Sequence, residues 1–384
     1  MINKIDPTIL QIVETMNNNS AHLDCVVYAN NFLQSRFLFK RLHKLNNVHE
    51  FPFINAFGVK LTPLEIGKVA SLNAVSYITS SLKVQTQINV AKQVIELGSS
   101  NLAHDFCCVV IDTGFSPCID MCVPHSRLVN FVDFINNKTI PYDDNGHGTF
   151  VTNMLAGSGV VSNGKYAGID ANANVIVIKA LDKNGETGVI NILKAMQWIL
   201  DNKQKYNIKV VCMSFGSMVL TKSDPLILGA EALWNNGLTV VAAAGNSGPE
   251  FDTIKSPGAS SKIITVGAIN DNRIGNSFNV NNFEVAEFSS RGPALGNYKP
   301  DVVAPGVNIM GACSFQLTKQ HYMTMSGTSV ATPIVAGICS LLISKNGNLK
   351  PNDIKHILLN NTIKLGADKN TEGFGLINCR NFVF

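Results

Sequence analysis

The feature that most limits the fold is a series of short, unbroken apolar runs. They are Val109-Val110-Ile111, Val175 to Ile178, Val210-Val211-Cys212, Thr239 to Ala243 and Ile263 to Val266. None alternates with polar residues, so none can keep one face in water. Helical patterns fall among and after them, over Val189 to Asn202, Pro225 to Asn235, Ser329 to Ser344 and Pro351 to Leu359. Strands buried on both faces, with helices between them, imply a parallel β-sheet covered on both sides. In such α/β sheets functional groups gather beyond the carboxyl ends of the strands.

Composition narrows the class. With 46% hydrophobic and 15% charged residues over 384 positions, the chain is no disordered segment and can bury a sizeable core. A formal charge of +4, dispersed along the sequence, argues against a nucleic-acid partner. No apolar run is expected to span a membrane. Met1 to Ser20 is polar and Asn-rich, unlike a secretory signal. The nine cysteines are odd in number and lie mostly inside apolar runs, so buried free thiols and a reducing, cytoplasmic home are expected; secretion by a non-classical route stays open. Cys118 and Cys122 form the one close pair outside such runs, with no second pair or histidine at zinc-ligand spacing.

Up to residue 87 the texture differs and reads strand, helix, strand, helix, strand. Cys25 to Ala29 is β-branched. Asn31 to Lys44 places Phe32, Phe37, Leu38 and Leu42 at helical spacing. Val48 to Leu61 alternates around a turn near Asn55. Thr62-Pro63-Leu64-Glu65 opens a helix with an N-cap, a proline at the first position and a capping-box glutamate. Ala74 to Val84 is extended again. Three segments follow: a small α+β domain over 1–87, a connector over 88–104 and an α/β domain over 105–384.

Several of the apolar runs empty into polar residues flanked by glycine. Val110-Ile111 leads into Asp112-Thr113-Gly114; such an aspartate caps a turn or orients a base. No GxGxxG follows, so a nucleotide-binding loop, which the sheet pattern alone would allow, lacks its glycines. In Asp144-Asn145-Gly146-His147-Gly148-Thr149 a histidine lies between two glycines at the start of an apolar helix. Small neighbours leave its imidazole open, and neutral imidazole is a general base near pH 7; a plain helix-start histidine is the alternative. Ser326 and Ser329, in Thr324 to Pro333, sit at the amino end of a long apolar helix, where unpaired N–H groups favour negative charge. Either serine could be a simple N-cap. Asn246, after Ala242-Ala243-Ala244-Gly245, is a turn residue or an amide donor to an oxyanion. Together they run Asp, His, Asn, Ser, a triad order distinct from His-Asp-Ser and Ser-Asp-His.

This set of motifs resembles the subtilisin-like serine proteases, the subtilases. Asn145-Gly146-His147-Gly148-Thr149, Ala243-Ala244-Gly245-Asn246-Ser247-Gly248-Pro249 and Ser326-Gly327-Thr328-Ser329-Val330-Ala331-Thr332-Pro333 carry the likeness, with Phe288 to Pro293 and Lys299 to Gly306. It extends from about Phe106 to the C-terminus. Tyr142 to His147 and Thr253 to Gly258 point to the AprX-type subgroup. The resemblance implies that Ser329 is the nucleophile, His147 the base, Asp112 its orienting partner, and Asn246 with the Ser329 N–H the oxyanion hole. It implies a substrate edge at Ser214-Phe215-Gly216 and a P1 wall at Ala243, Ala244 and Gly245. Gly188 and Val189 would hold the other side of the peptide, and Val189, Ile192 and Phe215 an apolar P4 pocket. Pro257 matches a proline often cis in the family. Residues 1–87 resemble the family's propeptide, a chaperone and inhibitor whose last strand lies in the cleft, here Ala74 to Gln87, with self-cleavage near Gln87–Ile88; an uncleaved accessory domain is the alternative. Polypeptides are the expected substrates, and a catalytically silent relative acting by binding is the other functional reading.

The pattern departs from the family at four places. Phe150 stands where many relatives have His. Val330 stands where Met is common, which implies resistance to peroxide. Lys255 lies at the expected base of the P1 pocket: either its ammonium reaches solvent, or it points inward and P1 shifts toward acidic or amide side chains. Ser158 to Tyr166 does not match the family's calcium loop. Catalysis is expected to need no metal or cofactor, while structural calcium stays open.

Overall fold

The computed structural model describes residues 22–31, 48–51, 55–80, 88–98, 104–219, 223–273 and 279–382, with scattered positions between 4 and 44. It divides into two compact units, a smaller one of residues 1–85 with 273–277 and a larger one of residues 86–272 with 278–384.

The N-terminal unit contains β1 (Leu23–Ala29), β2 (Val48–Phe51), β3 (Ala56–Leu61), α1 (Pro63–Ala70) and β4 (Val75–Ser80). The strands form one antiparallel sheet in the order β2-β3-β1-β4. Alternation in the sequence becomes one buried face: Cys25, Val27 and Ala29 on β1, and Phe57, Val59 and Leu61 on β3. Ile66, Val69 and Ala70 of α1 bury in the same core. The expected capping box forms, with Thr62 N donating to Glu65 Oε2 at 2.8 Å and the Thr62 side chain accepting from Glu65 N. Asn55 makes the turn between β2 and β3 at φ 51°. In the helix expected over 31–44, Leu38 and Leu42 are buried, but Phe37 is exposed; Phe32 lies outside the described residues. So do residues 81–87, the end of the expected tail.

The larger unit contains α2 (Ile88–Val94), β5 (Cys107–Asp112), α3 (Ile119–Cys122), β6 (Leu128–Asp133), α4 (His147–Ala156), β7 (Asn174–Lys179), α5 (Val189–Asn202), β8 (Ile208–Met213), α6 (Pro225–Asn235), β9 (Thr239–Ala243), β10 (Ile264–Asn270), β11 (Glu284–Val285), β12 (Val302–Pro305), β13 (Ile309–Ala312), α7 (Phe315–Thr318), β14 (Tyr322–Met325), α8 (Thr328–Lys345), α9 (Pro351–Asn360), β15 (Thr362–Ile363), α10 (Lys369–Glu372) and β16 (Leu376–Ile377). Its sheet runs β15-β16-β12-β10-β9-β8-β5-β7-β6, with β11 beside β10. The body is parallel as expected, but the β10–β11 and β15–β16 pairs are antiparallel, so the sheet is mixed at its margin. Every residue of β5 and β9 is buried. Helix α8 packs on β8, β9, β10 and β12 and on α4, while α5 packs on α6 and α6 on β9.

Two expectations change here. Residues 88–104 are not only a connector: Ala91 and Val94 of α2, and Ile95 just after it, are buried in the same core as the sheet. Helix α8 is long and apolar enough to cross a membrane, at a mean hydropathy of 1.4, although no such run was expected. It is a core helix, 83% buried within the protein.

The sheet order also positions chemistry. The chain lays β6 and β7 on one side of β5, then crosses to build β8, β9, β10 and β12 on the other. A crevice opens at the carboxyl ends of strands where the winding reverses. Asp112 ends β5 there.

Candidate active site

Asp112 is held at the mouth of the sheet by its own backbone, whose carbonyl accepts from Ala180 N and Leu181 N. Its carboxylate is 1% exposed; Oδ1 accepts from Thr113 N and faces His147 Nδ1, both at 2.7 Å. His147 is the first residue of α4. The helix reaches this close because Gly148 follows: a Cβ there would lie 2.3 Å from Gly114 O and 3.1 Å from Asp112 Cβ. A single added methyl would push the imidazole off its carboxylate.

Buried Asp143 ties the two segments together. Its Oδ1 accepts from Thr113 Oγ1 (2.9 Å), Asn145 N (3.1 Å) and Gly146 N (2.8 Å), and its Oδ2 from Thr149 N (2.8 Å) and Thr149 Oγ1 (2.6 Å). Thr113 Oγ1 in turn accepts from Gly148 N at 2.8 Å. The start of α4 is therefore filled by an anion, which suits the free N–H groups and dipole there. Nearby, the buried ammonium of Lys179 donates to Thr113 O, Leu181 O and Asp144 Oδ1.

Burial opposes charge on His147, but the Asp112 carboxylate, by charge and hydrogen bond, outweighs it, with Asp143 adding to the effect. The imidazole pKa is raised above the ordinary histidine value. Nδ1–H bonded to a carboxylate leaves Nε2 of the neutral ring as the free basic nitrogen.

Ser329 is the second residue of α8, whose N-cap, Gly327, supplies no side-chain cap. Asn246 lies just beyond β9, and its Oδ1 accepts from Thr328 N and Thr328 Oγ1, both at 2.9 Å. With the amide oxygen occupied, the donor Nδ2 is left facing outward. A Cβ at Gly327 would come within 3.0 Å of Ser329 Oγ and 3.4 Å of Asn246 Nδ2, so both atoms border one small space. Among the described residues no acceptor takes the Ser329 N–H.

These groups share a cleft of about 810 Å³. Asp112, His147, Asn246 and Ser329 line it, with Ser214, Phe215, Gly216, Val189, Ile192, Ala243 and Gly245 of the expected subsites. Two expected subsite residues do not. Gly188 is the N-cap of α5 and is absent from the lining. Ala244 is buried, its N–H bonded to Val266 O and its carbonyl to Lys255 N. Its neighbours Ala243 and Gly245 both line the cleft. Gln87 lies outside the described residues, and Ile88 opens α2. The Ser256–Pro257 peptide is cis. Phe150 is fully buried, and a Cβ on Gly311 of β13 would meet its ring at 2.6 Å. Among the described residues no group of three or more His, Cys, Asp or Glu is placed to hold a metal ion.

Reasoning from sequence passed over Asp143, Thr113, Thr328 and the cleft-lining Met325. An acidic residue shortly before a helix start is a capping signal that could have found Asp143. Nothing local marks the threonines, whose partners are distant in sequence.

A profile of the Subtilase family matches residues 107–376. Serine protease AprX of Bacillus subtilis (strain 168) is 40% identical over 326 residues, 80% of this chain and 72% of that protein. The thermostable alkaline protease of Halalkalibacterium halodurans is 27% identical over 328 residues, 83% of this chain and 81% of that one. A solved cold-adapted subtilisin-like serine proteinase superposes with a TM-score of 0.58 at 25% identity, covering 77% of this chain and 98% of its own. The chain belongs to the Subtilase family, the subtilisin-like serine proteases.

Proposed function

We propose that this protein is an endopeptidase that cleaves polypeptides through an acyl-enzyme on Ser329. His147 Nε2 takes the hydroxyl proton as Ser329 Oγ attacks the scissile carbonyl, then returns it to the leaving amine. Asp112 holds the tautomer and stabilises the imidazolium. Asn246 Nδ2 and the Ser329 N–H receive the oxyanion; among the described residues neither donor has a competing partner, so they need no reorganisation as charge develops. Water then releases the acyl group by the same route in reverse. The observation that carries the reading is the 2.7 Å His147–Asp112 contact in the same cleft as Ser329 and Asn246. Ser214-Phe215-Gly216 is the edge along which an extended peptide adds as a strand. Val189, Ile192 and Phe215 form an apolar pocket further along, and no step requires a metal or cofactor.

The N-terminal 87 residues act as propeptide, chaperone and inhibitor, released by a cut near Gln87–Ile88. A self-contained antiparallel sheet with its own core supports this part of the reading. The nine cysteines are all free and seven are buried, which suits a reducing, cytoplasmic setting.

Intact mass of the wild type beside Ser329→Ala, with fluorophosphonate labelling of both, tests the proposal. The expected result is a wild type trimmed near residue 87 and labelled, and a mutant full length and unlabelled. Full-length chains in both, with labelling confined to the wild type, would reject self-processing and keep the nucleophile. Absence of labelling in the wild type would reject the nucleophile, leaving a binding protein on a protease fold.

A further inference from the structure

The cleft contains one lysine and no arginine among its described lining residues. That lysine, Lys255, is fixed across the gap between two walls. Its N–H bonds to Ala244 O at 2.8 Å on the Asn246 side. The next residue, Ser256, exchanges two backbone hydrogen bonds with Ser217, at 2.8 and 2.9 Å, on the Phe215 side. The side chain rises between two glycines, one on each wall. A Cβ on Gly216 would lie 2.5 Å from Lys255 Cβ, and one on Gly245 would lie 2.4 Å from Lys255 Cγ. Both walls are bare where the stem passes, so the stem fills the bottom of a slot whose sides are backbone.

The slot's position gives it a role. Gly245 immediately precedes Asn246, the amide assigned to the scissile carbonyl oxygen. The side chain nearest that carbonyl, P1, therefore enters beside Gly245 and opposite Gly216. Its end meets Lys255. Among the described residues no hydrogen bond or ion pair engages the Lys255 ammonium. Asp112 and Glu186, the two carboxylates lining the same cleft, do not pair with it. The buried Asp224 nearby is occupied by Ser256 Oγ and the start of α6. A half-buried cation with its stem packed and its head unpaired is a site for an anion of matching length.

Resting on the endopeptidase reading above, we infer that Lys255 is the specificity-determining residue of the P1 slot and selects substrates with an acidic side chain at P1. An apolar P1 side chain would desolvate the ammonium without replacing its hydrogen bonds, so the same lysine also disfavours the large apolar residues that a bare slot would accept.

The test uses fluorogenic peptides identical except for P1 Glu, Gln, Leu or Lys, with the wild type, Lys255→Met and Lys255→Glu. Preference is read as the ratio of kcat/KM values within each protein, so general damage divides out. The wild type should prefer Glu to Leu, and that ratio should fall by about 10- to 100-fold in Lys255→Met, the range of one charge-assisted hydrogen bond. Lys255→Glu should favour Lys over Glu, and the wild-type preference should weaken as salt rises. A Glu-to-Leu ratio at or below one, unchanged in Lys255→Met, would overturn the inference and leave the endopeptidase standing. Cleavage of none of the four peptides by the wild type would remove both.

Discussion

Helices α4 and α8 begin in the same way and are completed differently. Each starts after a glycine that offers no side-chain cap, and each presents a reactive side chain within its first two residues. At α4 the buried carboxylate of Asp143 accepts from Gly146 N and Thr149 N, while Asn145 Oδ1 takes His147 N and Thr113 Oγ1 takes Gly148 N. At α8 a neutral amide takes one of them, the Thr328 N–H, and the next is left open. The difference follows the charge each end must bear. In the proposed mechanism His147 becomes a cation during turnover, and an anion behind it stabilises that state. In the same mechanism a negative charge develops beside Ser329, and an anion placed there would oppose it, whereas an unpaired donor stabilises it. One helix end is neutralised and the other is left electropositive.

The comparison breaks most visibly at Asn246. Asn246→Ala removes a donor from the electropositive end and should lower kcat by about 100- to 1000-fold with a small change in KM, the range known for the equivalent group of subtilisin. Steady-state kinetics on a peptide substrate measures this. An equal rise in KM instead would place Asn246 in ground-state binding.

Asp143→Ala attacks the neutralised end. Five hydrogen bonds to a buried carboxylate disappear and several donors stay buried, so unfolding by urea should show a loss of about 3 kcal/mol. Activity also carries a sign. The base must be neutral, so activity falls as pH drops through the His147 pKa, which in the wild type lies above the ordinary histidine value. Removing the Asp143 charge should move that acid limb to lower pH, and a limb that stayed in place would confine Asp143 to stability. Linkage has the matching direction. The protonated His147–Asp112 pair stabilises the folded state fully below the ordinary histidine pKa, and that contribution is lost as pH rises through the raised folded value.

The smallest effect expected is oxidative. Val330, fully buried beside the nucleophile, has no thioether, but Met325 lines the cleft. Inactivation by peroxide should be slow and partial, and Met325→Leu should abolish it. Rapid loss of activity in the Met325→Leu protein would point to another site.

Much of this molecule was legible residue by residue. The limits of α5 and α6 follow from sequence, because a run of apolar residues at helical spacing ends where Gly, Asp or Asn takes over. The strands β5, β7, β8 and β9 were visible as apolar runs for the same local reason. β6 was not, since it lies at the sheet edge and mixes Asn130 and Asp133 with its apolar residues. β12 was seen only as part of a family motif, being four residues long.

By itself the sequence determined the parallel α/β class and the four motifs at strand ends and helix starts, because each depends on neighbours along the chain; the triad residues were named on the family resemblance that those motifs carry. The tertiary structure decided what depends on distant neighbours. It tied Asp143 to Thr113 and to the start of α4, turned Asn246 by occupying its oxygen with Thr328, and buried Ala244 while leaving Gly245 in the cleft. It also placed the Lys255 stem between Gly216 and Gly245, held by backbone hydrogen bonds from separate strand ends. Hydrogen bonds and close packing across tens of residues leave no periodic trace in a sequence.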